Sequence, residues 1–362
     1  MKIAVTGLRG IPGVMGGVET HCEELLPRVK RLAPDAAITV FARGPYVPPG
    51  EGEHRGVRIV PVASTRSRSF EAIIATFNSV LAARRDGAKL VHIHAIGPAL
   101  LTPFARLLGL RVVVTHHGED YRRAKWGFVA RHMLRLGERF ALRSADRLIA
   151  VSPSLTERLR NAYPTGAARI RFIPNGVPNL PASRGNALTR LRLVPRNYIL
   201  AVGRLVPEKG LHDLVDAHER SGDPRTLVIV GGADHESGYA TQLKTRGSAQ
   251  VRFAGLQDRA TVRELFENAS LFVMPSYHEG LPIAALEAAS CATPMLLSDI
   301  QPNRDLGLPP HHYFPVGDID ALAEGLRRPA CDYAIEREVF LSAFDWDRIS
   351  EQTLEVYREA AA

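Results

Sequence analysis

The sequence predicts an α/β protein of two doubly wound domains, each a parallel sheet covered by helices on both faces. Short runs rich in β-branched and aliphatic residues recur along the chain, and the segments between them carry apolar residues at helical period. At 362 residues the chain is also too long for one typical core, which favours two domains.

The predicted strands fall into two series. The first series is Lys2–Thr6, Ile38–Ala42, Val57–Val62, Leu90–His94, Arg111–His116, Arg147–Val151 and Ile170–Pro174. The second is Tyr198–Val202, Thr226–Val230, Gln250–Ala254, Leu271–Pro275, Pro294–Ser298 and His312–Pro315. Residues 175–196, rich in Pro, Gly and Asn and without periodicity, lie between them and are predicted to be the linker.

The predicted domains are therefore residues 1–178 and 179–345, both Rossmann-like. Residues 346–362 place Trp346, Ile349 and Tyr357 on roughly one helical face, and this helix is expected to pack across the domain junction. Doubly wound sheets bind ligands outside the carboxyl ends of their strands, so the site is expected in the cleft between the domains.

Composition excludes several classes of protein. The three cysteines, Cys22, Cys291 and Cys331, cannot form a disulfide framework and fit a reducing compartment. The first apolar run is too short for a signal peptide, and no run reaches the roughly 18 residues that a membrane span needs. We therefore expect a cytoplasmic protein.

Charge is divided unevenly along the chain. Residues 1–180 hold 27 Lys and Arg against 13 Asp and Glu, a balance of +14, whereas residues 181–362 have a balance of −6. A basic half fits a nucleic acid, an anionic membrane surface or an anionic substrate, and charge alone does not choose among them.

A glycine-rich loop, residues 7–17, follows the first strand. Such a loop before a helix lets backbone N–H groups approach phosphate, although a purely structural turn is the alternative. Its spacing is not that of the dinucleotide fingerprint, and no acidic residue closes the second strand. A dinucleotide oxidoreductase is therefore disfavoured.

A second motif, G-R-L-V-P-E-K-G at residues 203–210, follows the strand Tyr198–Val202. Arg204 and Lys209 are placed to present two cations to a diphosphate at the carboxyl end of that strand. Solvated surface charges are the alternative interpretation.

The strongest motif is residues 275–294, which follow the strand Leu271–Pro275. The tripeptide Gly280-Leu281-Pro282 is expected to open a helix whose N-terminus favours an anion. Glu279 precedes the helix and Glu287 lies two turns into its otherwise apolar sequence. A buried carboxylate needs a partner, and sugar or ribose hydroxyls are such partners, as is a nearby arginine.

Residues 125–147 predict a basic amphipathic helix. Its arginines, at four-residue steps, fan around one side: Arg131, Arg135, Arg139, Arg143 and Arg147. Its apolar residues occupy much of the rest: Phe128, Met133, Leu134, Leu136 and Phe140. The pattern is typical of membrane-surface binding or of a solvated face over a core. The basic first half, with Arg66, Arg68 and Arg123 among others, favours anionic lipid.

No metal is expected. His94, His116 and His117 end neighbouring strands but lack the close spacing of zinc ligands. Lining the cleft or hydrogen bonding in the core is therefore the expected role of His94 and His116. Two D-x-D pairs, residues 318–320 and 345–347, lie near predicted helix starts, where Asp is a common cap.

Taken together, these motifs resemble retaining glycosyltransferase family 4, which has the GT-B fold. Glu279 and Glu287 enclose E-G-L-P, G-R-L-x-x-E-K-G lies about seventy residues upstream, and I-P-N-G-V stands at the domain boundary. The strings T-G-L-R-G-I-P-G-V-M-G-G-V-E-T and H-H-G-E-D-Y-R-R-A-K-W-G further resemble a bacterial, rhamnosyltransferase-like subgroup of surface polysaccharide assembly.

The resemblance implies a role for each matching residue. Those implied to hold the donor diphosphate are Arg204, Lys209, Gly280, Leu281, Gly16 and Gly17. Glu279 is implied to approach the hydroxyls of the transferred sugar and Glu287 to hold the ribose, with the nucleobase near Gly255 and Leu256. His117 is implied to face the donor sugar, and Asp120, which follows it in the pattern, is implied to lie on the acceptor side.

The expected function is metal-independent, retaining transfer of a sugar from a nucleoside-diphosphate sugar, without a cofactor. The expected acceptor is a saccharide, carried on a polyprenyl diphosphate at the inner membrane face. A nucleotide-sugar epimerase or hydrolase of the same fold is one alternative. A nucleic-acid-binding protein is another, but it leaves Glu279 and Glu287 unexplained, and no nucleic-acid partner is expected.

Overall fold

The structure is a computed structural model that describes residues 1–65, 70–122, 126–177, 180–183, 185–233 and 238–362. The chain forms two compact units. The first unit comprises residues 1–176 and 344–362, and the second comprises residues 177–343. The predicted division at residue 178 and the basic residues Arg66, Arg68 and Arg123 fall outside the described residues.

The first unit is built on an eight-stranded sheet. Its strands are β1 (Lys2–Thr6), β2 (Ala37–Arg43), β3 (Gly52–His54), β4 (Val57–Val62), β5 (Leu90–His94), β6 (Arg111–His116), β7 (Arg147–Ala150) and β8 (Ile170–Phe172). Their order is β3-β4-β2-β1-β5-β6-β7-β8, and every pair is parallel except β3 with β4. In register, Ile3 lies between Ile38 and Leu90.

The second unit has a wholly parallel sheet of six strands. They are β9 (Tyr198–Val202), β10 (Thr226–Val230), β11 (Val251–Gly255), β12 (Leu271–Met274), β13 (Met295–Ser298) and β14 (Tyr313–Phe314). The order β11-β10-β9-β12-β13-β14 is the 3-2-1-4-5-6 arrangement of a Rossmann domain.

Helices connect the strands in both units. Those of the first unit's main segment are α1 (Gly17–Leu32), α2 (Glu71–Arg85), α3 (Thr102–Leu107), α4 (Phe128–Ser144) and α5 (Pro153–Ala162). Those of the second unit are α6 (Ala187–Arg190), α7 (Leu211–Ser221), α8 (Gly238–Thr245), α9 (Arg259–Asn268), α10 (Ile283–Ser290), α11 (Gln301–Arg304), α12 (Ile319–Arg327) and α13 (Arg337–Ala343). The last helix is α14 (Trp346–Ala361).

Each unit has its own core. In the first, Leu26 of α1 and Tyr357 of α14 are fully buried in one cluster with Val5 of the sheet. In the second, Leu214 of α7 and Leu322 of α12 are buried in a cluster with the sheet residues around β9. The continuous apolar character of the strands follows from burial of both sheet faces.

The two predicted doubly wound domains are confirmed, and every predicted strand is present within two residues of its predicted ends. Strand β3 was not predicted. It is three residues long and polar, and it pairs with β4 through a turn in which Arg55 and Gly56 both have positive φ.

The predicted linker is partly structured. Its second half contains α6, whose first amides, Ala187 N and Leu188 N, donate to Glu264 Oε1 on α9 at 2.8 and 3.2 Å. This part therefore belongs to the second unit. The terminal helix α14 is present as predicted and belongs to the first unit, where it packs against α1.

Candidate functional site

The second sheet has a switch point between β9 and β12, because the chain runs outward in opposite directions from these two neighbouring strands. Ligands of doubly wound sheets bind beyond the carboxyl ends of the strands at such a point. The loop after β9 carries Arg204 and Lys209, and the loop after β12 carries Glu279. The two motifs selected from the sequence therefore lie on adjacent loops.

Lys209 and Glu279 are in direct contact. Lys209 Nζ lies 2.5 Å from Glu279 Oε1, and Ser276 Oγ donates to the same oxygen at 2.6 Å. The two side chains are 20% and 11% exposed, so the pair is largely shielded but open to a ligand. The lysine predicted to bind the diphosphate and the carboxylate predicted to bind the sugar are thus in contact with each other. Arg204, half-buried, follows β9 at the same edge of the sheet.

A glycine brings these two loops together. Gly210 has φ 61°, and a Cβ at this position would lie 2.1 Å from the carbonyl oxygen of Pro275. Any other residue would push the loop after β9 away from the end of β12. The close contact of Lys209 with Glu279 therefore depends on the last glycine of the 203–210 motif.

Glu208 is a buried acidic residue of this loop to which the sequence interpretation gave no role. It is 6% exposed, and neither of its carboxylate oxygens has a hydrogen-bond partner among the described residues. Its backbone oxygen accepts from Tyr277 N at 2.9 Å, so it links the same two loops. The sequence signal was its place between Pro207 and Lys209 within the 203–210 motif.

The helix after β12 begins later than predicted. Pro282 is the N-cap of α10 rather than part of its first turn, and Gly280 and Leu281 precede the helix. Glu287 was expected to be buried but is half-buried, because the buried face of α10 is made of Ala285, Leu286, Ala288 and Ala289. Although most residues of α10 are apolar, only one face of the helix is buried, and Glu287 lies outside that face.

Gly255 and Leu256 lie at the end of β11, two strands from β9 at the same carboxyl edge. Gly255 has φ 68°, and Leu256 is 60% exposed. The Leu256 side chain covers Gly232, where a Cβ would lie 2.9 Å from it. An exposed apolar side chain at this edge is compatible with the predicted contact to a nucleobase.

In the first unit, the glycine-rich loop packs tightly around the start of α1. Arg9 N donates to Glu19 Oε1 at 2.9 Å, and the Arg9 guanidinium lies at 3.2 Å from the same oxygen. Gly16, the N-cap, has φ 151°, and a Cβ there would overlap Glu19. The loop is thus closed over the helix that begins at Gly17.

Four histidines gather at the carboxyl edge of this sheet. His94 Nδ1 lies 2.9 Å from His117 Nε2, and the ring of His21 on α1 is 5.0 Å from that of His117. His92 hydrogen-bonds Tyr357 and Thr115, both at 2.7 Å. The sequence interpretation missed His21, because some seventy residues separate it from His94 and no spacing links them.

These histidines are neutral at pH 7. Burial lowers the pKa of His21 to about 4 and that of His92 to about 3. Burial, together with neighbouring imidazoles, also lowers the pKa of His94 and of His117 well below 6.5. His117 therefore acts as a hydrogen-bonding group rather than as a cation.

The loop that carries His117 is held by an ionic network. His116 Nε2 lies 2.8 Å from Glu138 Oε2 on α4, and Arg158 on α5 lies 2.6 Å from that oxygen. Arg158 also reaches Glu119 at 3.1 Å. The expected hydrogen-bonding role of His116 is confirmed, whereas the importance of Glu138 was not foreseen. Asp120 follows Glu119 and is half-buried.

Burial alone would raise the pKa of Glu138. Hydrogen bonds from His116 and Arg158, with their charges, outweigh burial and lower the pKa to about 2. Glu138 is therefore a charged group that ties α4 and α5 to the end of β6.

Helix α4 has the predicted amphipathic form. Its buried residues are Leu134, Gly137, Glu138, Ala141 and Leu142, and its exposed arginines are Arg131, Arg135, Arg139 and Arg143. Arg147 was wrongly included, since it lies in β7 and pairs with Glu359 at 2.8 Å. Phe128 and Val129 are 77% and 70% exposed, so they do not cover the core.

Both D-x-D pairs contain helix caps, as predicted. Asp318 Oδ1 accepts from Ala321 N at 2.9 Å, and Asp345 Oδ1 accepts from Arg348 N at 2.8 Å. The second members are paired as well, Asp320 with Arg220 and Asp347 with Arg31.

Solved structures share this fold over almost the whole chain. A sucrose-phosphate synthase from Thermosynechococcus elongatus superposes with a TM-score of 0.82 at 23% identity, covering 99% of this chain and 98% of that one. The Anabaena protein HepE, solved in complex with UDP-glucose, superposes with a TM-score of 0.74 at 19% identity, covering 99% of both. These likenesses show the fold.

Two family models match the sequence. The model of glycosyl transferases group 1 matches residues 191–335, and the model of Glycosyltransferase Family 4 matches residues 15–179. Together they cover every strand of the two sheets except β1. The chain belongs to the GT-B glycosyltransferases of family 4. Both models describe transferases, which favours this glycosyltransferase over the epimerase, hydrolase and nucleic-acid-binding alternatives.

Curated relatives of the glycosyltransferase are named as synthases of different products. Alpha-maltose-1-phosphate synthase of Mycobacterium tuberculosis is 28% identical over the full length of both chains. Glycogen synthase of the same organism is 29% identical, covering 69% of this chain and 63% of that one. Membership of a rhamnosyltransferase-like subgroup stays a prediction.

Proposed function

We propose that this glycosyltransferase moves a sugar from a nucleoside-diphosphate sugar, with retention of configuration, to a saccharide carried on a polyprenyl diphosphate in bacterial surface polysaccharide assembly. The observation that carries the proposal is the contact of Lys209 with Glu279 at the switch point of the second sheet. It brings a diphosphate-binding cation beside a carboxylate that can accept from sugar hydroxyls.

The donor would lie along the carboxyl edge of the second sheet. Lys209 and Arg204 would hold the diphosphate, supported by the amides of Gly280 and Leu281 ahead of α10. Glu287 would accept from the ribose hydroxyls. HepE was solved with UDP, and starch synthase IV of Arabidopsis thaliana with ADP and acarbose, which supports a nucleoside diphosphate but leaves the base open.

Transfer requires that the leaving diphosphate be stabilised while charge develops on the sugar. The acceptor hydroxyl oxygen would form the new bond to the anomeric carbon on the face that the leaving group vacates. Its proton would pass to the departing phosphate oxygen. Lys209 and Arg204 supply the positive charge for this step, so no metal is required. Glu279 orients Lys209 and binds sugar hydroxyls, so it is not assigned as a nucleophile.

In the first unit, roles are proposed for residues of two loops, the glycine-rich loop after β1 and the loop after β6. His117, neutral and hydrogen-bonded to His94, would donate or accept at a hydroxyl of the transferred sugar. Gly16 and Gly17 would approach the diphosphate through their backbone, and Asp120 would lie on the acceptor side. The contact between the rings of His21 and His117 connects the helix that starts at Gly17 with the His117 loop.

A membrane-bound acceptor is favoured by the surface of α4. Phe128 and Val129 are exposed at its start, next to four exposed arginines. Apolar residues beside cations are what an anionic bilayer surface binds. Within the described residues, none of the helices combines the length and apolar character needed to cross a bilayer. The exposed apolar and basic surface of α4 supports peripheral attachment to the inner membrane face as the proposed form.

The proposal is tested in two steps. A panel of nucleoside diphosphates is first screened by thermal shift, and one is expected to raise the Tm more than the others. The matching nucleotide sugars are then incubated with polyprenyl-diphosphate-linked saccharides, and release of nucleoside diphosphate is measured. Release that depends on the lipid-linked acceptor supports the proposal. Release only with free sugar phosphates or glucans would overturn the lipid-linked acceptor, and no stabilisation by any nucleotide would overturn donor binding.

A further inference from the structure

Three histidines of the first unit bring imidazole nitrogens together from separate elements. His21 comes from α1, His94 from the end of β5 and His117 from the loop after β6. One nitrogen from each ring lies within 4.8 Å of the others, and His94 Nδ1 is 2.9 Å from His117 Nε2. Within the part of the chain that the structure describes, these three side chains are the group of His, Cys, Asp or Glu residues that is close enough together to surround one ion.

The hydrogen bonds around the cluster determine which ring nitrogens can carry protons and which can carry lone pairs. His21 Nδ1 lies 2.9 Å from Asn175 Oδ1, and an amide oxygen only accepts, so this nitrogen carries the proton and Nε2 carries a lone pair. A ligating histidine in metal sites is held in the same way, by an acceptor on its other nitrogen. His94 Nε2 faces Cys22 Sγ at 3.5 Å, which allows Nε2 to hold the proton of that ring.

The hydrogen bond between His94 and His117 contains one proton. If His94 is protonated at Nε2, His117 Nε2 donates to His94 Nδ1. An ion between the rings would replace this hydrogen bond, and the displaced proton would move to His117 Nδ1. Three neutral imidazoles would then face the ion without a change in the protonation of His21 or His94.

The ligand chemistry selects the ion. Imidazole nitrogens suit Zn²⁺, Co²⁺, Ni²⁺ and Cu²⁺, whereas Mg²⁺ and Ca²⁺ require oxygen ligands, which this cluster does not contain. Three histidines with a fourth position open to water form a known type of zinc site. His21 and His94 are buried and His117 is half-buried, so an ion would enter from the side of His117.

We propose that His21, His94 and His117 form a binding site for Zn²⁺ or a related imidazole-preferring ion, and that its occupancy inhibits sugar transfer. The inhibition rests on the proposed function. An ion at Nε2 of His117 would hold the proton of this ring on Nδ1, so that Nδ1 could no longer accept from a hydroxyl of the donor sugar, and it would place positive charge beside that sugar. The site is thus regulatory, and transfer itself proceeds without metal.

The binding test uses the full chain, stripped of metal and titrated with Co²⁺. We expect one ion per chain with the strong visible absorption of tetrahedral coordination, and displacement of that absorption by Zn²⁺ but not by Mg²⁺. His21→Gln and His117→Gln should each weaken binding at least about tenfold, and Asn175→Leu about ten- to hundredfold. His132→Gln, an exposed histidine on α4, is the matched control and should bind as the wild type does.

Co²⁺ binding is measured without any activity assay, so the metal site can be tested even if the proposed sugar transfer is wrong. Absence of the tetrahedral Co²⁺ absorption in the wild-type protein would overturn the site, even if a buried variant fails to fold. Equal affinity in a folded His21→Gln or His117→Gln protein would do the same. If Co²⁺ binds as expected but Zn²⁺ leaves acceptor-dependent transfer unchanged, the site stands and its inhibitory role is overturned.

Discussion

Lys209 and Glu279 are 70 residues apart in the sequence, and their side chains meet at 2.5 Å. The contact joins the loops after β9 and β12, the two strands at which the second sheet changes direction. A cation held by one carboxylate oxygen is oriented before a ligand arrives. Its removal should therefore affect binding more than folding.

Lys209→Ala should weaken nucleoside diphosphate binding. Loss of one hydrogen bond to a charged group costs about 1.5–3 kcal/mol, which corresponds to about a ten- to hundredfold rise in Kd. Isothermal titration calorimetry with the preferred nucleoside diphosphate measures this. Lys244→Ala, at an exposed lysine of α8, is the control. Unchanged affinity in a folded Lys209→Ala protein would remove Lys209 from the donor site.

Glu287→Gln should distinguish a ribose contact from a diphosphate contact. A carboxylate that accepts from ribose hydroxyls contributes to binding of the nucleoside part only. We expect the affinity for nucleoside diphosphate to fall by about tenfold while the affinity for inorganic diphosphate stays the same. Equal loss for both ligands would mean that Glu287 acts on the phosphates or on the fold.

The sequence was sufficient to predict the sheet cores and to place the two candidate motifs at the carboxyl ends of strands. Strand runs such as Leu271–Met274 are apolar throughout because both faces are buried, so their bounds are visible in the composition. Motifs at strand ends predicted that Lys209 and Glu279 would share one edge. Their direct contact was not predictable, because it depends on the close packing of Gly210 against Pro275.

Polar networks were harder to predict. His21, Glu138 and Glu208 are buried polar groups in ordinary helix or loop sequences. His21 and Glu138 find side-chain partners on other elements, as Glu138 does in His116 and Arg158. The carboxylate of Glu208 has no hydrogen-bond partner among the described residues. Periodicity shows which face of a helix is buried but not which polar residue on that face finds a partner.

Transfer should continue in EDTA. The diphosphate charge is assigned to Lys209, Arg204 and the start of α10, and both D-x-D pairs contain helix caps. We expect activity with excess EDTA to equal or exceed that of the untreated enzyme, because chelation would also empty the histidine site. Activity lost in EDTA and restored by Mg²⁺ or Mn²⁺ would contradict the assignment of the cations.

Glu138 should make the first unit sensitive to acid. Its pKa is lowered from an ordinary 4.5 to about 2, so its stabilising effect is complete above pH 4.5 and is lost as the pH falls through 2. Between pH 5.5 and 2.5 the loss amounts to about 2–3 kcal/mol. Gln at position 138 has no titrating group. The difference in unfolding free energy between the wild type and Glu138→Gln should therefore shrink by this amount when the pH is lowered from 5.5 to 2.5.

Urea denaturation of the wild type and of Glu138→Gln at each pH measures the effect. Glu157→Gln, an exposed carboxylate on the neighbouring helix α5, is the control and should follow the wild type. A difference between wild type and Glu138→Gln that stays constant with pH would mean that the carboxylate is not charged in this network.

The membrane prediction requires a choice among the arginines of α4. Arg135 lies over the ring of Tyr121, 5.4 Å from its centroid, and Tyr121 donates to Glu119 in the network around His117. Changing Arg135 would therefore disturb the loop as well as the surface. Arg131, Arg139 and Arg143 are exposed, and they are the better positions for a charge reversal.

Replacing Arg131, Arg139 and Arg143 by Glu should release the protein from vesicles that contain phosphatidylglycerol. Each cation near an anionic surface contributes about 1 kcal/mol, screened by salt. Phe128→Ser should weaken binding independently of salt, because it removes apolar rather than charged contact. The matched control reverses three exposed cations of the same unit, Arg84, Arg85 and Lys89, and should bind more nearly as the wild type does. Cosedimentation at low and high salt, with nucleotide affinity measured in parallel, separates surface attachment from damage to the donor site. If the wild type fails to cosediment at low salt, the arginines form a solvated helix face, and the acceptor must then be sought among soluble saccharides and sugar phosphates.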